Sequence, residues 1–294
     1  SNYNAGKASA FGAGTGVSWS ASGELDNGWT VSTTHSANNA FSLTSSNISV
    51  DTGSMGKVRF NRVAAASVNA NDDVLPTAWE EANDNAAHSV RGTRLADGMT
   101  SGSISYMSPS VDLAGGSVSF SVDYDPAVNA GGGNPGATAS RAATWGSGIA
   151  YGATISYGPL TLHGGYAEEE STVSGGNDGQ NVMVQAIVSM GAVSIGAGEW
   201  YANEENGGND YSTEGVGISF NVNDDLSVSY NELEDTKEAI GATAAVATEI
   251  SAIQVAYSMG SMAVKAKRVE TDNPYNQTAM NTEEHTEISV SFTF

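Results

Sequence analysis

Apolar and polar residues alternate with a period of two along most of the chain, and this period is typical of β-strands with two different faces. In residues 288–294, every even position is apolar and every odd position is Ser or Thr. The same alternation recurs in residues 117–124 and 227–231, where Ser, Asn or Asp occupies the polar positions. A face so rich in small hydrophilic side chains suits contact with water better than a protein core.

The segments between the alternating runs are of two kinds, which follow one another in turn. Short turns separate some runs, and long segments rich in Gly, Asn, Asp and Glu separate the others. The short turns lie at 26–28, 52–54, 114–116, 158–159, 190–191, 223–225 and 259–261, and the long segments at 126–145, 170–180, 203–210, 235–248 and 271–282. Seven short turns divide the chain into eight hairpins and therefore sixteen strands. The first of these strands, expected at residues 3–10, has the weakest pattern.

The alternating runs are about 9 to 12 residues long, which is the length a tilted strand needs to cross a bilayer. Because hydrocarbon offers no hydrogen-bond partner to the backbone, strands that span a membrane must close into a barrel. The sequence therefore predicts an all-β fold, a transmembrane antiparallel β-barrel of sixteen strands with a water-filled lumen, as a single domain over residues 1–294. Aromatic residues near strand ends are candidates for the interfacial girdles: Trp19, Trp29, Tyr157, Tyr166, Trp200, Tyr201, Tyr211 and Phe294.

Charge and composition exclude several other classes of protein. The chain has 11 Lys and Arg against 33 Asp and Glu, a formal net charge of −22, so we expect no binding to nucleic acid. It has no Cys and four scattered His, without the spacing of a transition-metal site. No Gly-x-Ser-x-Gly motif marks a nucleophile, and we expect no enzymatic activity. No run of about 18 apolar residues predicts a transmembrane helix.

Residues 65–101 interrupt the hairpin rhythm, and a long loop of this kind is usually functional. Its carboxylates are Asp72, Asp73, Glu80, Glu81 and Asp84. Five of the eleven basic residues also fall in or beside this segment: Lys57, Arg59, Arg62, Arg91 and Arg94. One interpretation is a pore constriction, in which an acidic loop folded into the lumen faces a basic wall and creates a transverse field. The other is that the arginines pair with nearby acids and pin the loop; the two are compatible.

The acidic loops offer the oxygen ligands that calcium prefers, and calcium ions are therefore an expected but unlocated ligand. The Gly-Gly-Asn-Asp runs at 175–178 and 207–210 are spaced by a hairpin unit, not by the nine residues of a calcium-binding repeat. No EF-hand loop is present. The sequence assigns no metal ligands and no other cofactor.

Three stretches resemble the bacterial general diffusion porins, most nearly the short alphaproteobacterial type. They are the hairpin 45–62 that leads into the long loop, the strand 103–109 that follows it, and the alternating C-terminus that ends on Phe294. The resemblance implies a sixteen-stranded homotrimer in the bacterial outer membrane, a third loop folded into the pore, and passive transport without catalysis. It also implies that Phe292 and Phe294 belong to the outer-membrane assembly signal. The sequence departs from the family at Asn61, where a Gly usually precedes the constriction Arg, here Arg62.

These observations predict an outer-membrane channel for ions and small hydrophilic solutes, with a weak preference for cations. Its expected surroundings are outer-membrane lipid, lipopolysaccharide and two further copies of the chain. A substrate-selective channel is the main alternative, and an aromatic track along the lumen would favour it. A barrel hydrolase would need acidic and His residues that converge at the mouth, and a secreted acidic β-rich protein would be soluble without detergent.

Overall fold

The computed structural model describes residues 16–38, 40–63, 67–90, 93, 95–96, 99, 102–128, 145–203, 209–238, 245–278 and 280–293. These residues form one sheet of sixteen strands, with two short 3₁₀ turns at Val68–Asn71 and Pro274–Asn276. The strands are β1 Val17–Glu24, β2 Thr30–Ala37, β3 Leu43–Asp51, β4 Lys57–Val63, β5 Ile104–Met107, β6 Val111–Leu113, β7 Gly116–Asp125, β8 Trp145–Tyr157, β9 Leu160–Ser171, β10 Gly179–Met190, β11 Val193–Asn203, β12 Asp210–Asn221, β13 Leu226–Lys237, β14 Val246–Met259, β15 Met262–Asp272 and β16 Glu283–Phe292. Among the described residues, no helix is long and apolar enough to cross a membrane.

The strands pair antiparallel in an order that follows the sequence. The exception to this order among the described strands is β7, which pairs with both β5 and β6, so these two short strands lie end to end along the same neighbour. Within the described residues β1 and β16 are the edges of the sheet. The sixteen-stranded antiparallel architecture predicted from the alternation is confirmed, and the strand expected at residues 3–10 lies outside the described part of the chain.

Cross-strand register gives the sheet two chemically different faces. One row across β12–β16 is apolar and the neighbouring row is polar, because side chains alternate between faces. The apolar row is Phe220, Val228, Val255, Ala266 and Ile288, and the polar row is Ser219, Ser229, Gln254, Lys267 and Glu287. We call these the apolar face and the polar face.

Exposure of side chains is inverted relative to a soluble protein. Large apolar side chains of the apolar face are exposed, as for Ile253 at 58% and Ile288 at 69%, while Gln254 and Lys267 on the polar face are 2% exposed. Bilayer hydrocarbon is the medium in which such an apolar face is stable. The polar side chains are buried because a long loop covers them, and its Leu75, Leu95 and Met99 pack against the sheet.

Two of the aromatic residues assigned to the interfacial girdles lie elsewhere. Trp200 is 1% exposed and Tyr211 is 7% exposed, and both belong to the polar face. The girdle prediction is therefore wrong for these two residues. Position near a strand end does not decide which face a side chain occupies; the parity of the residue along the strand does.

Candidate functional site

The long loop, described over residues 67–90, 93, 95–96 and 99, begins at a buried carboxylate of β7. Asp123 is fully buried and accepts hydrogen bonds from the backbone N–H groups of Ser67 and Val68, at 2.9 and 2.7 Å. It also accepts from the Ser67 hydroxyl at 3.0 Å. Because all of these donors lie at the start of the loop, Asp123 fixes the point at which the loop enters the polar face.

The loop then crosses the polar face of the sheet strand by strand. On β10, Gln185 Oε1 accepts from Val74 N–H at 3.0 Å and Gln185 Nε2 donates to the Asn71 carbonyl at 2.8 Å. Further along, the indole of Trp200 on β11 donates to the Asp72 carbonyl at 2.5 Å, and Asn231 Nδ2 on β13 donates to the Pro76 carbonyl at 3.0 Å. Polar side chains that would be orphaned in a buried sheet thus satisfy the backbone of the loop.

The acidic part of the loop is held by β14, β15 and β16. Gln254 on β14 accepts from Glu80 N–H at 2.9 Å and donates to the Glu80 carbonyl at 2.8 Å. Lys267 on β15 donates to the Glu81 carbonyl at 2.5 Å. Asn85 Nδ2 donates to Glu287 Oε2 on β16 at 2.8 Å. The loop therefore spans the polar face from β7 to β16, and side chains of the sheet hold it at Glu80, Glu81 and Asn85.

A second buried carboxylate holds the far end of the loop. His88 Nε2 lies 2.6 Å from Asp235 Oδ2 on β13, and Asp235 is fully buried. Thr213 Oγ1 donates to the other Asp235 oxygen at 2.6 Å. Tyr275 N–H, in the segment between β15 and β16, donates to His88 Nδ1 at 3.2 Å. This contact ties the long loop to a connection between two strands.

The five predicted acidic residues interact electrostatically with one another. Burial, with a smaller contribution from the nearby Glu81 carboxylate, raises the pKa of Asp72 to about 7. Burial likewise raises the pKa of Asp73 to about 7, with additional contributions from Glu81 and Asp84. Burial also raises the pKa of Glu80 and of Glu81, and in both cases Lys267 opposes the shift. The structure therefore brings these carboxylates into one cluster, which we call the acidic cluster.

The predicted basic residues occupy different places. Lys57 and Arg59 lie on the polar face of β4, in register with Asp51 and Ser49 of β3, and Arg59 interacts electrostatically with Asp123. Arg62 is exposed beside the register shift between β3 and β4. Arg91 and Arg94 lie outside the described residues.

Two lysines of β15, which the sequence reasoning missed, contribute positive charge at the acidic cluster. Lys267 Nζ lies 3.9 Å from Glu80 Oε2, and Lys265 Nζ lies 5.9 Å from the centroid of the Trp79 ring. Residues two apart on a strand share a face, so the Lys-x-Lys pattern at 265–267 was the available signal. Nothing in the sequence indicates that Lys267 meets Glu81, which lies 186 residues earlier in the chain.

The remaining predictions concern the two phenylalanines at the C-terminus and the binding of metal ions. Phe292 ends β16 in register with Met262 and is 57% exposed on the apolar face, and Phe294 lies outside the described residues. Within the described ranges, no group of three or more His, Asp or Glu side chains is arranged to hold a metal ion.

Comparison with known proteins gives a family and a set of similar folds. A family model described as Gram-negative porin matches residues 1–264. None of the curated proteins matches the chain.

Several solved structures are similar over nearly the whole chain. OmpF of Salmonella typhi in complex with daunomycin aligns with a TM-score of 0.69 at 11% identity, over 95% of this chain and 89% of that one. The anion-selective porin of Comamonas acidovorans aligns with a TM-score of 0.66 at 15% identity, over 95% and 89%. The trimer form of in-vitro folded OmpT, an outer membrane protein of Vibrio cholerae, aligns with a TM-score of 0.64 at 14% identity, over 94% and 88%.

Proposed function

This chain belongs to the Gram-negative porin family, and from that premise we propose that it lets ions and small hydrophilic solutes diffuse passively through its lumen, with a weak preference for cations. As a member of this family it is an outer-membrane β-barrel channel and not an enzyme. The observation that carries the proposed selectivity is the course of the long loop, which lies along the polar face from β7 to β16 and holds a cluster of carboxylates there.

The constriction is formed by residues 65–101 within a single barrel domain over residues 1–294. Carboxylates Asp72, Asp73, Glu80, Glu81 and Asp84 line one side of it, and the basic side consists of Lys57, Arg59, Arg62, Arg91 and Arg94. Two features support this assignment: the acidic cluster is fixed through backbone hydrogen bonds, and Arg59 shares the polar face. Because a fixed cluster of carboxylates attracts counter-ions, the local concentration of cations is raised.

The channel assembles as a homotrimer surrounded by outer-membrane lipid and lipopolysaccharide. The exposed apolar face supports contact with lipid, and a similar structure is described as a trimer. Phe292 and Phe294 serve barrel assembly. Calcium ions bind transiently to the acidic loops, as an atmosphere of counter-ions and not in a closed coordination site.

Conductance of the purified protein in a planar lipid bilayer tests the channel. We expect the conductance to rise in groups of three equal steps, one for each pore of a trimer. In a potassium chloride gradient, we expect a reversal potential of the sign that a cation-preferring channel gives. Absence of any opening contradicts the proposed channel, and a reversal potential of the opposite sign contradicts the cation preference. A saturable current that a solute blocks would indicate a substrate-selective channel instead.

A further inference from the structure

Two cross-strand partners hold the peptide groups of the acidic segment. Gln254 of β14 and Lys267 of β15 lie directly opposite each other on the polar face. Gln254 clamps the Glu80 peptide through two hydrogen bonds, and Lys267 donates to the Glu81 carbonyl. Both residues are 2% exposed. The two residues therefore anchor the backbone of the loop at consecutive residues, Glu80 and Glu81.

The two anchors differ in charge. The Gln254 amide is neutral, whereas the Lys267 ammonium interacts with carboxylates on two sides. From the long loop these are Asp73, Glu80, Glu81 and Asp84, and from β16 it is Glu287. Lys265 is the other ammonium group of this strand near the loop, and it interacts with Glu80 and lies over the Trp79 ring.

Burial strengthens the electrostatic influence of Lys267 on the carboxylates around it. A charge with little access to water is screened less than an exposed one, so its influence on nearby carboxylates persists at physiological salt. The predicted basic residue Arg59, in contrast, interacts electrostatically with Asp123 at the start of the loop. The charge that offsets the acidic cluster thus comes in part from β15, on the same side of the lumen as the loop.

We propose that Lys267 is a selectivity-setting residue of the channel, whose buried ammonium group offsets the charge of the acidic cluster and thereby limits its preference for cations. This inference rests on the proposed function, because it concerns the selectivity of an open channel. A role as a mere anchor of the loop would make Lys267 equivalent to Gln254.

The test compares Lys267→Gln with Gln254→Leu in lipid bilayers, by measuring reversal potentials in a potassium chloride gradient between pH 6 and pH 8. Glutamine at 267 keeps a donor for the Glu81 carbonyl but removes the charge. We expect the ratio of potassium to chloride permeability to rise about two- to three-fold at pH 8. This is the effect of removing one unit charge that lies roughly 7 Å from a permeating ion in water. The pH at which the ratio is halfway between its limits should also move upward, because a lost cation makes neighbouring carboxyls easier to protonate.

Gln254→Leu is the matched anchor control, and it should loosen the loop without moving that midpoint. Lys267→Arg keeps the charge and should retain the midpoint. Adding Glu81→Gln to the Lys267→Gln channel removes one negative charge, so the ratio of potassium to chloride permeability should return toward that of the unsubstituted protein. Lys267→Met repeats the charge removal with a different side chain. Equal midpoints in the Lys267→Gln, Lys267→Met and Gln254→Leu channels overturn the inference. Absence of channels in the unsubstituted protein contradicts the proposed function itself.

Discussion

At the scale of single residues, Asp72 and Asp73 make the selectivity of the channel depend on pH. The pKa of each is raised to about 7, mainly by burial and secondarily by Glu81. A raised carboxyl pKa means that the group is neutral below about pH 7 and negative above it, so the loop gains negative charge as pH increases. We therefore expect cation preference to increase between pH 6 and pH 8, as measured by reversal potentials.

Asp73→Asn should weaken this pH dependence without abolishing it, because Asp72 still titrates near pH 7. Asp26→Asn is the matched control, because Asp26 is an exposed carboxylate in the short turn between β1 and β2. The Asp26→Asn channel should retain the pH profile of the unsubstituted protein. A pH profile that survives Asp73→Asn unchanged would show that other groups titrate in this range.

At the scale of elements, the loop and the sheet fit together because glycines on the polar face leave room for the loop. A Cβ atom added at Gly196 of β11 would lie 2.6 Å from Cδ of Pro76, whose ring cannot rotate away. Gly196→Ala should therefore displace the loop near Pro76 and destabilise the barrel by about 1–3 kcal/mol, as overpacking does elsewhere. Thermal unfolding and single-channel conductance measure the two effects.

Gly164→Ala is the control for this substitution, since a Cβ atom at Gly164 of β9 meets nothing within 4 Å. Its unfolding temperature and conductance should match those of the unsubstituted protein. If Gly196→Ala leaves both quantities unchanged as well, the contact between Pro76 and β11 does not constrain the loop.

The elements also show how far the sequence can predict this structure. Strand alternation depends on neighbouring residues, so the strands and their two faces could be predicted. The long loop could be located because the regular succession of strands and turns is interrupted there. The course of that loop could not be predicted, because its anchors lie far away in sequence, as for Asn85 and Glu287. For the same reason Lys267 was overlooked while Arg59 was not, since Arg59 is close in sequence to the acidic residues. Aromatic character alone does not place Trp200, because the parity of the residue along β11 puts it on the polar face, where it is buried.

At the scale of the whole molecule, the excess of acidic residues that gives a net charge of −22 has members on both faces of the described sheet. On the polar face the acidic cluster is partly offset by lysines. On the other face, carboxylates lie directly opposite one another on five neighbouring strands, β11–β15, beyond the apolar band. They are Glu199, Glu214, Glu234, Glu249 and Asp272. Like charges at directly opposed positions of an antiparallel sheet destabilise the pairing.

This row of carboxylates predicts that salt stabilises the barrel. Screening shortens the range of the repulsion from about 10 Å at 0.1 M to about 3 Å at 1 M ionic strength, so the unfolding temperature should rise with sodium chloride. Glu234→Gln, in the middle of the row, should raise the unfolding temperature at low salt and reduce its dependence on salt. Glu24→Gln is the control, because Glu24 of β1 lies opposite Thr30 and not opposite another acid. An unfolding temperature that does not respond to salt, or a Glu24→Gln effect as large as that of Glu234→Gln, would mean that repulsion within the row does not limit the stability of the barrel.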